Sequence, residues 1–376
     1  MNYEPLSKHV RLVDTRNKNG VTNEILGINI EKFFMPSVAN VIGTDLTKYK
    51  LISKGLFACN PMHVGRDARL PVALYDKEVP ALVSPAYFMF EVINTSILDP
   101  EYLMMWFRRS EFDRICWFKT DCSVRGGITW DDLGRLEVPV PSIEKQKYIV
   151  KAYKAIAERI ALKKQINDNL EAQLSSIYHS LFDTQDGWPE GNISDLGEVV
   201  GGATPSKEVD EYFCSDGIVW LTPRDLTSTG RKFIYSGETD ITEEAYCSCS
   251  TKLLPKGSVL LTSRAPVGCV AIAMKEMCTN QGFKSIVPKE EYGTAFVYYF
   301  LKENKLMLDN HSSGTTFMEI SGNVLKNIPI CLPPKELTSK FNKLCESVFI
   351  YQEQLETEMS KLIELQRTLV SKISSR

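Results

Sequence analysis

Asn60-Pro61-Met62-His63 comes nearest, in this chain, to a loop that modifies a nucleobase. Methyl transfer to an adenine amino group uses Asn or Asp followed by two prolines and an aromatic ring. The prolines stiffen the loop and the ring stacks on the extruded base. Here Met62 and His63 replace the second proline and the aromatic, and no glycine-rich loop suited to a methyl donor accompanies them, so the segment reads as a turn. Leu332-Pro333-Pro334 lacks the leading Asn or Asp and reads as the end of a strand. Cleavage of a phosphodiester would need clustered carboxylates and a lysine around a divalent ion. Asp131-Asp132 and Glu243-Glu244 are adjacent acids without that context and read as solvated loop or helix-start residues. His9, His63, His179 and His311 are scattered, and the ten cysteines form no Cys-x-x-Cys pair; the closest, Cys247 and Cys249, flank one serine. No zinc site is legible, and neither metal nor cofactor is expected.

The 376 residues are 43% hydrophobic and 24% charged, as in a soluble protein with more than one core, so two domains plus connecting elements are expected. Lys and Arg total 44 against 47 acids, a net charge of −3. A duplex binder must neutralise phosphates, and a chain with this balance does so only through local cation clusters or basic partners. No secretory signal is visible at Met1-Asn2-Tyr3-Glu4 and no long apolar run follows, so the expected setting is cytoplasmic, without a membrane, and the cysteines read as reduced core thiols.

The elements that must carry any site are repeated. Residues 145–182 contain no glycine or proline and are rich in Lys, Gln, Ala, Glu and Leu, which predicts a helix of roughly 55 Å at ~1.5 Å per residue. Its seam steps by four and three through Ile149, Tyr153, Ile156, Ile160, Lys163, Asn167, Leu170, Leu174, Ile177 and Leu181, a coiled-coil pattern with two polar layers. The same pattern recurs from Phe341 to Ile373 at a constant offset of 192. That offset also lays Leu136–Pro141 on Ile328–Pro333, a short strand closed by proline before each helix. Antiparallel pairing with Ile149 opposite Ile373 sets Lys163 against Met359 and Asn167 against Leu355. The chain therefore reads as α+β: two similar globular domains joined by two long helices in an antiparallel coiled coil, with pseudo-two-fold symmetry. Their limits are 1–144 and 184–337 for the domains, the second with its linker, and 145–183 and 338–376 for the helices.

In the second domain, Gly201-Gly202-Ala203-Thr204-Pro205-Ser206 followed by Ile218–Leu226 resembles the opening of a target-recognition domain in the specificity (S) subunits of type I restriction-modification systems. Thr262–Gly268, Thr279–Ile286 and Gly314–Ser321 follow in the family's order. The first domain is a more divergent example, recognisable by Lys54–Asn60, Val83–Tyr87 and Leu98–Leu103. The resemblance spans nearly the whole chain. It implies a non-catalytic subunit whose two domains each read half of a bipartite, asymmetric double-stranded DNA site. It also implies spacer helices that dock two methyltransferase (M) subunits, and an endonuclease (R) subunit that joins them.

Arginine bonds guanine in a bidentate manner, lysine and threonine hold phosphate, and amides read adenine. On those chemistries the expected DNA contacts are Lys207, Arg224, Arg264 and Lys284 in the second domain and Arg66, Arg69 and Arg125 in the first. The blander readings are that Arg264 braces the Pro266–Gly268 bend, that Arg108 and Arg109 form a solvated helical face, and that Asn280-Gln281-Gly282 is a turn. The competing function classes are a stand-alone methyltransferase or nuclease with an unfamiliar active site, and an inactive donor of recognition domains.

Overall fold

The computed structural model describes residues 3–38, 43–62, 64–120, 126–314 and 318–374. They form two compact units of mixed helix and strand: Met1–Ala161 with Lys361–Arg376, and Leu162–Ser360. No helix among the described residues is long and apolar enough to cross a membrane.

The first unit is built on an antiparallel sheet in the order Val10–Leu12, Phe88–Val92, Phe57–Cys59, Val72–Leu74. Its strands are short and rich in Val and Phe, residues that suit a pleated, packed surface. Phe57 stacks on Phe90 with centroids 5.0 Å apart, and Phe107 meets Phe57 edge-on at 5.8 Å. Phe107 closes the helix Pro100–Phe107, started by Asp99, whose carboxylate accepts from the Glu101 and Tyr102 amides, and by proline in the first turn. Residues Tyr102 to Phe107 are all buried, as in a helix that is apolar all round.

The second unit repeats this frame. Its sheet runs Gly197–Gly201, Lys284–Pro288, Val259–Ser263, Val267–Ala273, Phe233–Ile234; the first four strands pair antiparallel, in the order of the first unit. The last pair is parallel. Helix Gly293–Glu303 packs its aromatic residues into a core shared with Tyr178, Phe182 and Phe341. A further sheet, Phe213–Cys214, Thr239–Ile241, Ile218–Leu221, Cys278–Thr279, carries the segments that precede the loops described below.

The 192-residue offset continues into details. Thr129 caps helix Trp130–Gly134 and Ser321 caps helix Gly322–Lys326, each hydroxyl accepting from a backbone amide. The strand before each long helix pairs with the strand that opens its unit: Glu137–Pro139 with Tyr3–Pro5, and Pro329–Cys331 with Glu190–Asn192.

The long helices are Ile143–Phe182 and Lys335–Ser371. In the first unit Val150 and Ile373 belong to one core, with Ile149, Tyr153 and Leu369 packed on it. In the second, Lys163 pairs with Glu358, and Gln352 donates to the Asn167 carbonyl at 3.5 Å and to the Glu171 carboxylate at 3.1 Å. Lys163 thus pairs with Glu358, the neighbour of the expected Met359, and Gln352 reaches both Asn167 and Glu171.

The cysteines need a correction. All nine described are free, but only Cys59, Cys116, Cys278 and Cys345 are buried. Cys247 is exposed, because it lies in the last turn of the surface helix Glu243–Ser248.

Candidate nucleic-acid interface

In the second unit, loops far apart in sequence are brought together by the strands of its two sheets and by hydrogen bonds between the loops. Gly202 comes so close to the Thr279–Asn280 turn that a Cβ on it would lie 2.1 Å from the Thr279 carbonyl oxygen, and only glycine fits. Ala203 donates its amide to that same oxygen at 3.0 Å, and the Trp220 indole donates to the Ala203 carbonyl at 3.0 Å. Thr204 donates its hydroxyl to the Gln281 side-chain oxygen. Asn280 accepts from the Gly282 amide at 2.8 Å, the local bond of an Asx turn. A Cβ on Gly282 would sit 2.7 Å from the Pro223 ring, so this turn lies against the next loop.

That loop opens helix Pro223–Thr229. Thr222 and Asp225 form a reciprocal capping box with proline in the first turn. Arg224 therefore projects from a fixed helix start and is exposed. The hairpin Arg264–Gly268 is tied down by Thr262, whose hydroxyl donates to the Pro266 carbonyl at 2.7 Å and accepts from the Cys269 amide at 2.9 Å. Ser263 links the remaining loops: its amide donates to Gly282 O at 2.7 Å and its carbonyl accepts from Ile320 N at 3.0 Å.

Of the expected contacts in this unit, Lys207 and Arg224 are exposed and have no ion pair with a described residue. Arg264 is partly exposed and pairs with Glu319 at 3.7 Å, while Thr262 does the bracing of the bend. Lys284 is half-buried and donates to the Gln281 and Phe283 carbonyls, both at 3.2 Å. Burial holds its ammonium below the usual lysine range; Glu319 opposes that and Arg264 adds to it, which places the three charges in one cluster. The cluster presents a guanidinium, amide groups and hydroxyls around a turn whose backbone is already bonded, suited to hydrogen-bonding an anionic, polar surface.

The first unit holds its candidates less closely. Arg69 is exposed and pairs with Glu31. Arg66 lies on the short helix Val64–Asp67, with its side chain outside what the structure describes. Arg125 lies outside the described residues, as do His63 and, in the second unit, Thr315–Phe317. Both Arg66 and Arg69 sit between strands Phe57–Cys59 and Val72–Leu74, the position that Arg264 occupies between the matching strands. Asn60 accepts from the Met62 amide at 3.1 Å, the bond of a turn. Arg109 differs from the solvated reading: its side chain is 11% exposed and pairs with Glu111 at 3.4 Å. Among the described residues no group of three His, Cys, Asp or Glu side chains is placed to hold a metal ion.

Sequence reasoning missed Glu319, the Thr204–Gln281 bond and two buried lysines. Lys32 bonds Asp113 at 2.7 Å, and Lys232 bonds Glu171 at 2.8 Å. Glu319 stands inside the last quoted motif, three residues after Thr316; nothing local marks the lysines, since this residue type is ordinarily exposed.

The type I restriction modification DNA specificity domain model matches residues 70–172 and again 185–364. The specificity subunit of the type I restriction enzyme MjaIX from Methanocaldococcus jannaschii is 44% identical over 155 residues, 41% of this chain and 36% of that relative. The HindI specificity subunit from Haemophilus influenzae is 23% identical over an alignment that covers 91% of this chain and 90% of the relative. The crystal structure of a type I restriction-modification S subunit from M. genitalium superimposes with a TM-score of 0.60 at 15% identity, covering 100% of this chain and 96% of the other.

Proposed function

This chain belongs to the type I restriction-modification DNA specificity family, and from that premise we propose that it is the DNA-recognition subunit of such a complex. It carries no catalytic step of its own and directs methyltransferase and endonuclease subunits to a bipartite, asymmetric site on double-stranded DNA. Residues 1–144 read one half-site and residues 184–337 the other. The segments 145–183 and 338–376 pair as an antiparallel coiled coil under pseudo-two-fold symmetry, space the readers and dock two M subunits, after which an R subunit joins in the cytoplasm.

The observation that carries this reading is the convergence of the family's ordered segments, Gly201–Ser206, Thr222–Asp225, Thr262–Gly268, Thr279–Lys284 and Glu319–Ser321, into one hydrogen-bonded cluster of loops. In it Arg224, Arg264, Lys207 and Lys284 contact DNA in the second half, and Arg66, Arg69 and Arg125 in the first. What supports Arg264 as a base reader is its partial exposure and its ion pair with Glu319; exposed ion pairs are worth only ~0–1 kcal/mol and exchange readily for a guanine edge or a phosphate.

Fluorescence-anisotropy titrations with and without the methyltransferase subunit test the reading. The net charge of −3 predicts weak binding by the chain alone and tight, salt-sensitive, sequence-specific binding by the complex. Equal affinity and specificity in both, or methylation by the chain alone, would overturn it.

A further inference from the structure

The first unit contains a cleft of about 1060 Å³ with a densely charged lining. Its cations are Lys32, Arg69, Arg108, Arg109, Arg114 and Arg367; its carboxylates are Glu31, Glu111 and Asp113. Each carboxylate neutralises one cation: Asp113 bonds the buried Lys32 at 2.7 Å, Glu31 pairs with Arg69, and Glu111 lies 3.4 Å from Arg109 and 3.9 Å from Arg114. Three positive charges remain in excess, on a chain whose total is −3. Arg108 is held by a neutral partner, donating to the Tyr153 hydroxyl at 3.1 Å, and Arg367 has no ion pair with a described residue. Arg108, Arg114 and Arg367 are all exposed.

We propose that Arg108, Arg114 and Arg367 form a phosphate-binding cleft that grips the backbone of duplex DNA beside the first reading hairpin. This inference rests on the function proposed above and assigns residues that the sequence did not. Two observations favour a nucleic-acid backbone over an acidic protein segment. Ala68 and Arg69, which line the cleft, come from the connection between strands Phe57–Cys59 and Val72–Leu74, the place Arg264 holds between the matching strands of the second unit. The second unit also sets a cation from the second helix after its sheet beside the strand that follows that connection: a Cβ on Gly268 would lie 3.2 Å from the Lys305 side chain, and Lys305 opens a helix as Arg114 lies on one. Guanidinium groups suit this task because their fork matches two phosphate oxygens at once.

The test is the salt dependence of binding by the complex with its methyltransferase, using a fluorescein-labelled random-sequence duplex as probe. Replacing Arg108, Arg114 and Arg367 together by glutamine should lower the slope of log K against log salt by about one for each arginine that holds a phosphate. Replacing them by lysine should restore most of it, and the methylated sequence in cells should not change. Glutamine keeps a donor for Tyr153, and the melting temperature checks that the variant folds. An unchanged slope in a folded variant overturns the cleft while leaving the function intact. An unchanged slope with lost methyltransferase binding also overturns it, giving the cleft to a protein segment instead. Failure of the unaltered complex to bind DNA removes the proposed function itself.

Discussion

The two units each bury a lysine, and they do so against different parts of the chain. In the first, Lys32 is closed within the globular part: it bonds Asp113 and the Phe107 carbonyl and faces the Phe112 ring at 4.8 Å. In the second, Lys232 reaches both long helices, bonding Glu171 at 2.8 Å and Gln352 at 3.0 Å as well as the Tyr299 hydroxyl at 3.1 Å. The rings of Phe349, Tyr298 and Tyr299 surround its ammonium, the nearest at 3.9 Å. Glu356, on the second long helix, also accepts from the Lys232 and Phe233 amides. A shared sheet therefore does not imply a shared attachment. The second domain is tied to its helices by a buried polar knot, whereas the first rests on apolar contacts around Val150 and Ile373 and on the anchor of Gln146.

Breaking the knot gives the largest expected effect. Lys232→Met leaves Lys302 as the one cation paired with Glu171 among the described residues and should destabilise the second unit by about 3–5 kcal/mol, the usual cost of removing one partner of a buried pair. Urea unfolding should show that transition move, and adding Glu171→Met should recover much of the loss. If Lys232→Met alone were neutral, the contrast between the units would be without energetic weight.

Acid should reach the same knot. Burial pushes the Glu171 carboxyl up, but the charges of Lys232 and Lys302 outweigh it and hold it at about 2 against an ordinary 4.5. Lys232 is itself lowered to about 8 because burial among the rings outweighs the carboxylate. We take the carboxylate as the guide to acid behaviour, since two cations face it. A depressed carboxyl stabilises the fold above its unfolded value and loses that contribution as pH falls through its folded one. About 3 kcal/mol should therefore be lost between roughly pH 4.5 and 2. Melting curves across that range should show the loss, and Glu171→Gln should flatten it.

The anchors at equivalent positions provide a finer comparison. Gln146 is fully buried; it accepts from the Asp99 amide and donates to the Ile97 and Pro141 carbonyls, each at 2.8 Å. At the offset of 192 stands Thr338, equally buried, which donates to the carbonyl of Glu291, the counterpart of Asp99, at 2.7 Å. Gln146→Ala strands a buried amide and carbonyls and should cost about 1–3 kcal/mol; Thr338→Val loses one hydroxyl donor and should cost about 1 kcal/mol. Equal effects in chemical denaturation would show that the two anchors are interchangeable despite their chemistry.

These features differ in how far the sequence revealed them. A stretch without glycine or proline, repeated at one offset, exposes helices because their pattern is local; the helix Ile143–Phe182 starts two residues before the stretch read from composition. The offset alone could have located Gln146 and Thr338, since both begin the second turn of a proline-led helix. The candidate interface was legible as ordered segments but not as a surface. Gly202 meets Thr279, and Ser263 meets Ile320, across separations that only strand pairing closes. Lys32 and Lys232 were illegible because their burial depends on partners 81 and 61 residues away. Arg109 departs from the solvated reading because it stands between the buried helix Pro100–Phe107 and the helix Ser110–Phe118, where the fold leaves its side chain 11% exposed beside Glu111.

Whether one frame holds two domains that act independently on DNA is decided by methylome sequencing of cells carrying a domain exchange. Residues 190–337 would be replaced by the corresponding domain of another specificity subunit, leaving both long helices and the first unit in place. The account predicts that one half of the methylated sequence changes to that of the donor while the other half and the spacing stay as they were. Alteration of both halves, or retention of the original sequence in full, would contradict it.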